Sequence, residues 1–366
     1  MIKAEIVAHS VNPQGDELIS VLCTFPRIIL AEVNTHRMLS KNTSSSRAIP
    51  FKKMLQAIEE NPFIPIAWQK DHSGMQGTEY ITDGKTLYEK TMLWLGARNE
   101  AVKHSTMLNK ERVDDNISPV TKQICNRLLE PFMWTTMLIT GSKEGWDNFF
   151  YLRCPKYSLF SENMPLEFRS KKDFLEYVRR VEAPEFRNQY DNLTELDWLQ
   201  INKGQAEIHI MAVAEAMWDA LNESTPKELK AGEWHIPFGD KTKDPTTMNQ
   251  HLGYTCGAKE WLENRVKISV AMAARTSYTV VGDEKEIDYK KMIELHDRLL
   301  NQEPPHSSPF EHVARCMSNI EREEFVKGKQ CRSAGATWAD LSIQGWCYNL
   351  KGFIPYRYLV DNKIEI

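Results

Sequence analysis

The N-terminal residues constrain the fold most. Apolar and polar side chains alternate around Ile2–Val7 and again through Leu18–Phe25, and the two runs flank the turn-forming sequence Asn12-Pro13-Gln14-Gly15-Asp16. A two-residue period on both sides of such a turn predicts an antiparallel hairpin. Pro26 ends the second strand's pairing, because proline has no amide proton to donate. Beyond it the period becomes helical. Leu87, Trp94, Ala101 and Leu108 recur at seven-residue spacing, and Ile210, Val213, Met217 and Leu221 line one face of a run beginning near Gln205. Few strands among many helical runs imply an α+β (or α/β) fold in which helices dominate.

Other segments fill in the order. Ile28–Asn34 reads as a short helix leading to Thr35-His36-Arg37, followed by a polar loop from Ser40 to Arg47 that Pro50 closes. Residues 60–85 read as irregular, Pro119–Leu138 and Gly145–Arg153 as helices, and 155–203 as an excursion without a clean period. Turn formers crowd 225–260, including Gly232, Pro237, Gly239 and Pro245. Helical signals return at Trp261–Ala274 and Tyr289–Leu300. Ser308-Pro309-Phe310-Glu311 has a capping-box pattern with proline at the first helical position. The stretch Thr337–Tyr358 is mixed and aromatic, and Gly345–Phe353 within it reads either as ordinary core or as a lid or stacking surface.

Bulk properties narrow the function classes. Hydrophobic residues make up 42% and charged residues 26%, as in a well-packed soluble protein. No apolar run is long enough to span a membrane, and the N-terminus lacks the apolar core of a secretion signal, so a cytoplasmic location is expected. A net charge of −4 argues against general attraction to nucleic acid. Any phosphate must therefore be held by a local cluster of donors. The seven cysteines are scattered and include no CxxC pair, which argues against a disulfide framework and against a cysteine metal site.

One segment concentrates suitable donors: Thr35-His36-Arg37-Met38-Leu39-Ser40-Lys41-Asn42-Thr43-Ser44-Ser45-Ser46-Arg47. Arginine matches phosphate with a bidentate fork, and serine hydroxyls and loop amides add short donors. On composition alone this is equally a solvated turn. The spacing, however, resembles the RHRxxSxNxxSxR signature of flavin-dependent thymidylate synthases. Thr35 stands at the first Arg, and His36, Arg37, Ser40, Asn42, Ser45 and Arg47 match the other fixed positions. Further elements resemble the same family: Arg127-Leu128-Leu129-Glu130-Pro131, Asn148-Phe149-Phe150-Tyr151-Leu152-Arg153 and Gly204-Gln205-Ala206-Glu207-Ile208. Ala274-Arg275-Thr276-Ser277-Tyr278 and His306–His312, which resemble the family's ARVSF and SPFEH elements, normally precede the signature but here lie near the other end of the chain. The order is cyclically shifted, which a domain with adjacent termini tolerates.

The resemblance implies a synthase-like fold with a small, mainly antiparallel sheet. It implies one permuted domain over 1–366, with an insertion at about 155–203 and extra segments at about 50–120 and 220–260. It further implies reductive methylation of dUMP, or of a related pyrimidine deoxynucleotide, to a product such as dTMP. FAD is the cofactor, with methylenetetrahydrofolate and NADPH as co-substrates, in a homotetramer of the kind found in phage-encoded members and hence in a host cytoplasm. Arg153 would be the catalytic residue, stabilising charge on the uracil edge. Glu32, Ser44, Ser45, Ser46, Arg47 and Arg127 fall at nucleotide-binding positions beside it, and Thr35, His36, Arg37, Asn42, Thr43, Asn148 and His312 at flavin positions.

Departures leave alternatives open. Glu32 replaces a substrate-contacting Gln, Thr43 a Glu and Thr35 an Arg, while Lys203 falls near a flavin-contacting His. A carboxylate beside the nucleotide repels phosphate unless paired. The alternatives are hydroxymethylation of a pyrimidine nucleotide on the same scaffold, or binding of nucleotide or flavin without turnover; a nucleic-acid-binding role fits the acidic charge poorly.

Overall fold

The computed structural model describes residues 2–73, 77, 79–110, 118–160, 165–181, 184–242, 244–278, 287–303, 306–326 and 343–365. The expected hairpin is present and longer than its alternation suggests: β1 (Lys3–Val11) pairs antiparallel with β2 (Glu17–Pro26), with a register shift between Ile6 and Ala8. The side chain of Asn12 organises the turn, its Oδ1 accepting from the amides of Gln14 and Asp16 at 3.0 and 2.8 Å. Gly15 takes a φ of +83°, which a residue without a Cβ adopts at little cost.

β2 pairs on its other edge with β4 (Trp134–Ser142), and β4 with the short β3 (Ser40–Thr43), both antiparallel. Lys227–Glu228 adds a parallel strand beyond β1, completing a five-stranded sheet. One face of the sheet buries Ile19, Val21, Cys23, Phe25, Met137 and Ile139 against the helices Lys143–Arg153 and Ile208–Asn222. On the other, Leu138 packs with Phe238 and Ala273, the latter on the helix Ala258–Arg275. That helix packs with Tyr289–Leu300 and the C-terminal Tyr356 and Leu359 into a second core. The result is a helix-rich α+β fold.

Two elements differ from the expectation. A helix does not run from Pro119 to Leu138: a short helix Lys122–Cys125 passes into a 3-10 helix Asn126–Phe132 and then into β4. Pro131 lacks the amide that an α-helix needs, and the β-branched residues Thr135, Thr136, Ile139 and Thr140 favour the strand. The polar loop Ser40–Arg47 is a strand in its first four residues, because edge pairing with β4 satisfies its backbone. Within 155–203 lie a hairpin (Tyr157–Phe160 and Pro165–Phe168), the helices Lys171–Val181, Pro184–Asp191 and Glu195–Ile201, and a small core of Tyr157, Phe174, Val178 and Trp198. Residues 337–342 of the aromatic tail lie outside the described residues. Among the described residues no helix is long and apolar enough to cross a membrane.

Candidate functional site

β3 brings together elements from the two ends of the sequence. Asn42 is almost fully buried, its Nδ2 donating to the carbonyl of Ala273 at 2.7 Å and its Oδ1 accepting from the Ser308 hydroxyl at 2.7 Å. Next to it, the Ser45 amide donates to the carbonyl of Ser277 at 2.7 Å. The segment Thr35–Arg47 therefore touches both Ala274–Tyr278 and His306–His312. Ser308–Glu311 is a single 3-10 turn rather than a capped α-helix; no side-chain cap forms, and the Ser308 hydroxyl is spent on Asn42.

Arg153 ends the helix Lys143–Arg153, and its Nε donates to Nε2 of His36 at 2.9 Å; its Nη2 lies 3.4 Å from the Thr35 hydroxyl. His36 is buried beside Phe149, whose ring meets it edge-on with centroids 4.8 Å apart. Burial first, then the charges of Arg153 and Lys41, push its pKa down to about 4, so it is neutral near pH 7. A neutral imidazole that accepts at Nε2 must carry its proton on Nδ1. Lys41 packs its ammonium against the carbonyls of Val33, Asn34 and His36, at 3.3, 3.4 and 2.5 Å, and burial lowers its pKa to about 8. It caps the C-terminal end of the short helix Leu30–Asn34.

The serines serve two ends. Ser44 is enclosed, its hydroxyl 2.6 Å from that of Thr135 and its carbonyl accepting from Arg27 Nη1 at 2.9 Å. Ser46 is also buried and donates to Glu130 Oε1 at 2.5 Å, while Arg27 Nη2 lies 3.2 Å from the same oxygen. Asn126 Nδ2 donates to the Ser46 carbonyl at 2.6 Å, which places the neighbouring Arg47 and Arg127 on adjoining surface. Both arginines are exposed, and Ser45 is half-exposed between the enclosed serines. Arg37 and Asn148 are likewise exposed. Among the described residues, the side chains of Arg37, Arg47, Arg127 and Asn148 make no ion pair and no hydrogen bond, although the Arg37 carbonyl accepts from Asn349 Nδ2 at 2.9 Å.

His312 is fully buried. Its Nδ1 lies 2.9 Å from the Thr140 hydroxyl, the first link of a chain through Ser20 and His235 to Ser10, with steps of 2.6, 2.9 and 2.9 Å. Burial drives the pKa of His312 and of His235 down to about 3. Nε2 of His312, Oε2 of Glu32 and Oγ1 of Thr43 are buried with no hydrogen bond to a described residue. Lys203 is exposed, its amide donating to the Lys156 carbonyl at 2.8 Å.

Three residues that sequence reasoning did not select shape this region. Arg27 and Glu130 hold the serine segment from below, and Lys41 holds its start. Glu130 lies within a quoted motif, but only the fold pairs it with Ser46. Nothing in the sequence singles out Arg27 among the chain's other arginines.

No protein-family model matches the chain, and no curated protein matches it. Among solved structures it has a partial likeness to nucleotide-modifying enzymes. At 12% identity and a TM-score of 0.32, it is similar to a UMP/dUMP methylase, PolB, from Streptomyces cacaoi bound with 5-Br dUMP, over 57% of this chain and 67% of that one. At 13% identity and a TM-score of 0.24, it is similar to Thymidylate Synthase X (ThyX) from Helicobacter pylori with FAD and dUMP, over 50% of this chain and 71% of that one. What those proteins bind is a property of theirs; the site in this chain is read from its own residues.

Proposed function

We propose that this chain binds a pyrimidine deoxynucleotide and a flavin at the Thr35–Arg47 segment and methylates dUMP reductively, with methylenetetrahydrofolate as carbon donor and NADPH as reductant. The observation that carries the reading is the pair of contacts Asn42–Ser308 and Ser45–Ser277. A rearranged synthase requires its signature segment to meet elements from the far end of the chain, and here it does so through buried polar groups.

The residues suit such ligands. Arg47 and Arg127 are uncommitted cations on adjoining surface, next to the half-exposed Ser45, and match a nucleotide monophosphate. Ser44 and Ser46 support that surface from within, since their hydroxyls are already spent on Thr135 and Glu130. Arg37 and Asn148 are free to hold FAD's diphosphate and ring edge. His312 fits direct flavin contact poorly in the single chain because it is enclosed; it acts through Thr140 in positioning β4. FAD, when bound, supplies the hydride chemistry. Arg153 faces the pyrimidine edge and stabilises the negative charge that develops there, and neutral His36 fixes its guanidinium. Exposed Ile124, Ile28, Leu128, Tyr151 and Leu152 flank these groups and suit burial against other copies in a homotetramer.

A second reading is favoured by Glu32, whose buried Oε2 has no partner, and by Thr43. An acidic group there suits activation of water, and the product is then a hydroxymethylated pyrimidine. Mass spectrometry of the product from dUMP, FAD, NADPH and methylenetetrahydrofolate separates the cases. A methylated, NADPH-dependent product supports the synthase, a hydroxymethylated one supports the second reading, and unchanged dUMP and dCMP would reject both.

A further inference from the structure

The segment Thr35–Arg47 meets the five-stranded sheet at its β3 edge, and the opposite edge carries a separate cluster of polar groups. There β1 is followed only by the two-residue strand Lys227–Glu228, which pairs with Ser10 and Val11. The register shift between Ile6 and Ala8 decides which way the next residues face. It brings Ile6, opposite Val21, and His9, opposite Ile19, to one face, where Ile19 and Val21 are buried under the helix Ile208–Asn222. Strict alternation sends residues 6 and 9 of a strand to opposite faces. Past the end of that helix the chain turns, the Ser224 amide donating to the Leu221 carbonyl at 3.0 Å. Three side chains from three elements then meet. His9 Nδ1 lies 2.9 Å from the Ser224 hydroxyl, and its Nε2 lies 3.0 Å from Glu17 Oε2 on β2. A carboxylate only accepts, so the neutral imidazole carries its proton on Nε2, and Nδ1 accepts from Ser224. Hydroxyl, imidazole and carboxylate joined in this order form the arrangement that activates a serine as a nucleophile.

His9 and Ser224 both line a cavity of about 760 Å³, together with Ile6, Ala220, Lys227 and Arg265. That volume accepts a small molecule. Ile6 and Ala220 give it an apolar wall for a short acyl chain. Its two cations differ in availability. Arg265 is spent on the Gly239 carbonyl at 3.2 Å and the Thr242 hydroxyl at 3.3 Å. The exposed Lys227 side chain makes no ion pair and no hydrogen bond among the described residues. This matters because Ser224 stands just past a helix C-terminus, whose carbonyl dipoles disfavour negative charge. Lys227 is the cation that can offset them and meet a developing oxyanion.

We infer that Ser224, His9 and Glu17 form a second reactive centre, which hydrolyses small carboxylic esters independently of any chemistry at Thr35–Arg47. Ser224 Oγ bonds to the ester carbonyl carbon while its proton passes to His9 Nδ1. The bond from that carbon to the alcohol oxygen then breaks, and the alcohol leaves with the proton, giving an acyl-serine. Water, deprotonated by His9, attacks the acyl-serine, releases the acid and restores the hydroxyl. Glu17 touches neither the substrate nor the reacting atoms. It is a positioning residue that holds the imidazole in the required tautomer and stabilises its cation. The inference does not rest on the synthase reading.

Two probes of the full-length protein test this. One is p-nitrophenyl acetate, with release of p-nitrophenolate followed over many turnovers. The other is a fluorophosphonate, which bonds to activated serines, with the labelled peptide identified by mass spectrometry. The wild-type protein is expected to cleave the ester and to carry the phosphonate on Ser224. Ser224→Ala and His9→Gln are each expected to lower kcat about 10²-fold or more, the usual contribution of general-base catalysis to a nucleophile. Glu17→Gln is expected to lower kcat with KM unchanged, a split that a purely structural role does not produce. The labelling needs no variant and so does not depend on how a variant folds: a wild-type protein without phosphonate on Ser224 overturns the inference. Equal ester hydrolysis in wild type and Ser224→Ala overturns it too, as does an unchanged kcat in Glu17→Gln.

Discussion

Arg153 and His36 are joined by a hydrogen bond with a fixed direction: Nε of the arginine donates and Nε2 of the imidazole accepts, at 2.9 Å. The histidine is an acceptor only while neutral, and its lowered pKa keeps it so. Arg153→Ala is expected to retain bound flavin and to lose about 10²–10³-fold in kcat, the usual effect of removing one preorganised electrostatic group. His36→Ala should lower kcat less, because it frees the guanidinium without removing it. Steady-state kinetics on dUMP check both; unchanged turnover in Arg153→Ala would remove that residue from its proposed role.

Acid should act on three enclosed histidines. The pKa of His36 is about 4, and those of His235 and His312 about 3. Each lies below the ordinary histidine value of about 6.5, so the unfolded chain takes up these protons first. Stability is therefore fully present above about pH 6.5 and is lost as pH falls toward 4 and below. Thermal melts between pH 7 and 4 should show a falling Tm. His312→Gln, which has no such proton to take up, should flatten that fall; an unaltered slope would exclude His312 as a contributor.

What was legible in the sequence follows from how local each signal is. The hairpin and the helix Tyr289–Leu300 were readable because periodicity and turn chemistry act over neighbouring residues. The Pro119–Leu138 stretch misled because its apolar residues fit a helical period as well as a strand; pairing with β2 and β3, a non-local effect, decided for the strand. In Thr35–Arg47, the spacing singled out a set of side chains but not where each one turns. The division of its serines was not: Ser44 and Ser46 turn inward because Thr135, Arg27 and Glu130 lie there, and only the fold brings those residues close. The role of Lys41 depends in the same way on the helix end that it caps.

Glu215 joins residues 155–203 to the helix Ile208–Asn222 and should make that junction weaken as pH rises toward about 7. It lies on the helix Ile208–Asn222, and its Oε1 accepts from the Lys171 amide at 2.7 Å. Burial pushes its pKa up to about 7; the Lys171 amide and ammonium oppose this, and Asp219 and Glu195 add to it. Tyr157 faces it from the insertion's hairpin. A raised carboxyl pKa contributes stability below the unfolded value of about 4.5, lost as pH rises through about 7. Cleavage within 155–203 by a protease should therefore accelerate as pH rises from about 5 to about 7 and level off above that, after correction for the protease's own pH profile. Glu215→Gln should remove the acceleration, and an equal acceleration in the variant would show that another group controls it.

The Arg27–Glu130 pair predicts a stability effect without direct loss of ligand contacts. Arg27 is nearly buried, and it serves Glu130, the Ser44 carbonyl and, at 3.4 Å, the Thr135 hydroxyl. Arg27→Met keeps most of the side-chain volume and removes these bonds, leaving Glu130 with Ser46 alone. A loss of about 2–3 kcal/mol is expected, as for hydrogen bonds to charged groups. Urea denaturation measures it, and a change within experimental error would mean that water replaces the guanidinium at no cost.

Asn42 and Ser308 provide the most direct test of the proposed site's assembly, since they lie 266 residues apart and share a 2.7 Å bond. Asn42→Ala removes that bond and the one to the Ala273 carbonyl, leaving a buried acceptor unmet, so it should cost about 2–3 kcal/mol. Ser308→Ala removes only the shared bond and should cost about 1 kcal/mol. If the two side chains interact as described, the double variant is less destabilised than the sum, by about 0.5–1.5 kcal/mol, because the shared bond is lost only once. Strictly additive losses would mean that the two residues do not meet in solution. The signature segment and the Ser308 turn would then lack their main polar link, and the reading of this region as one site would fall with it.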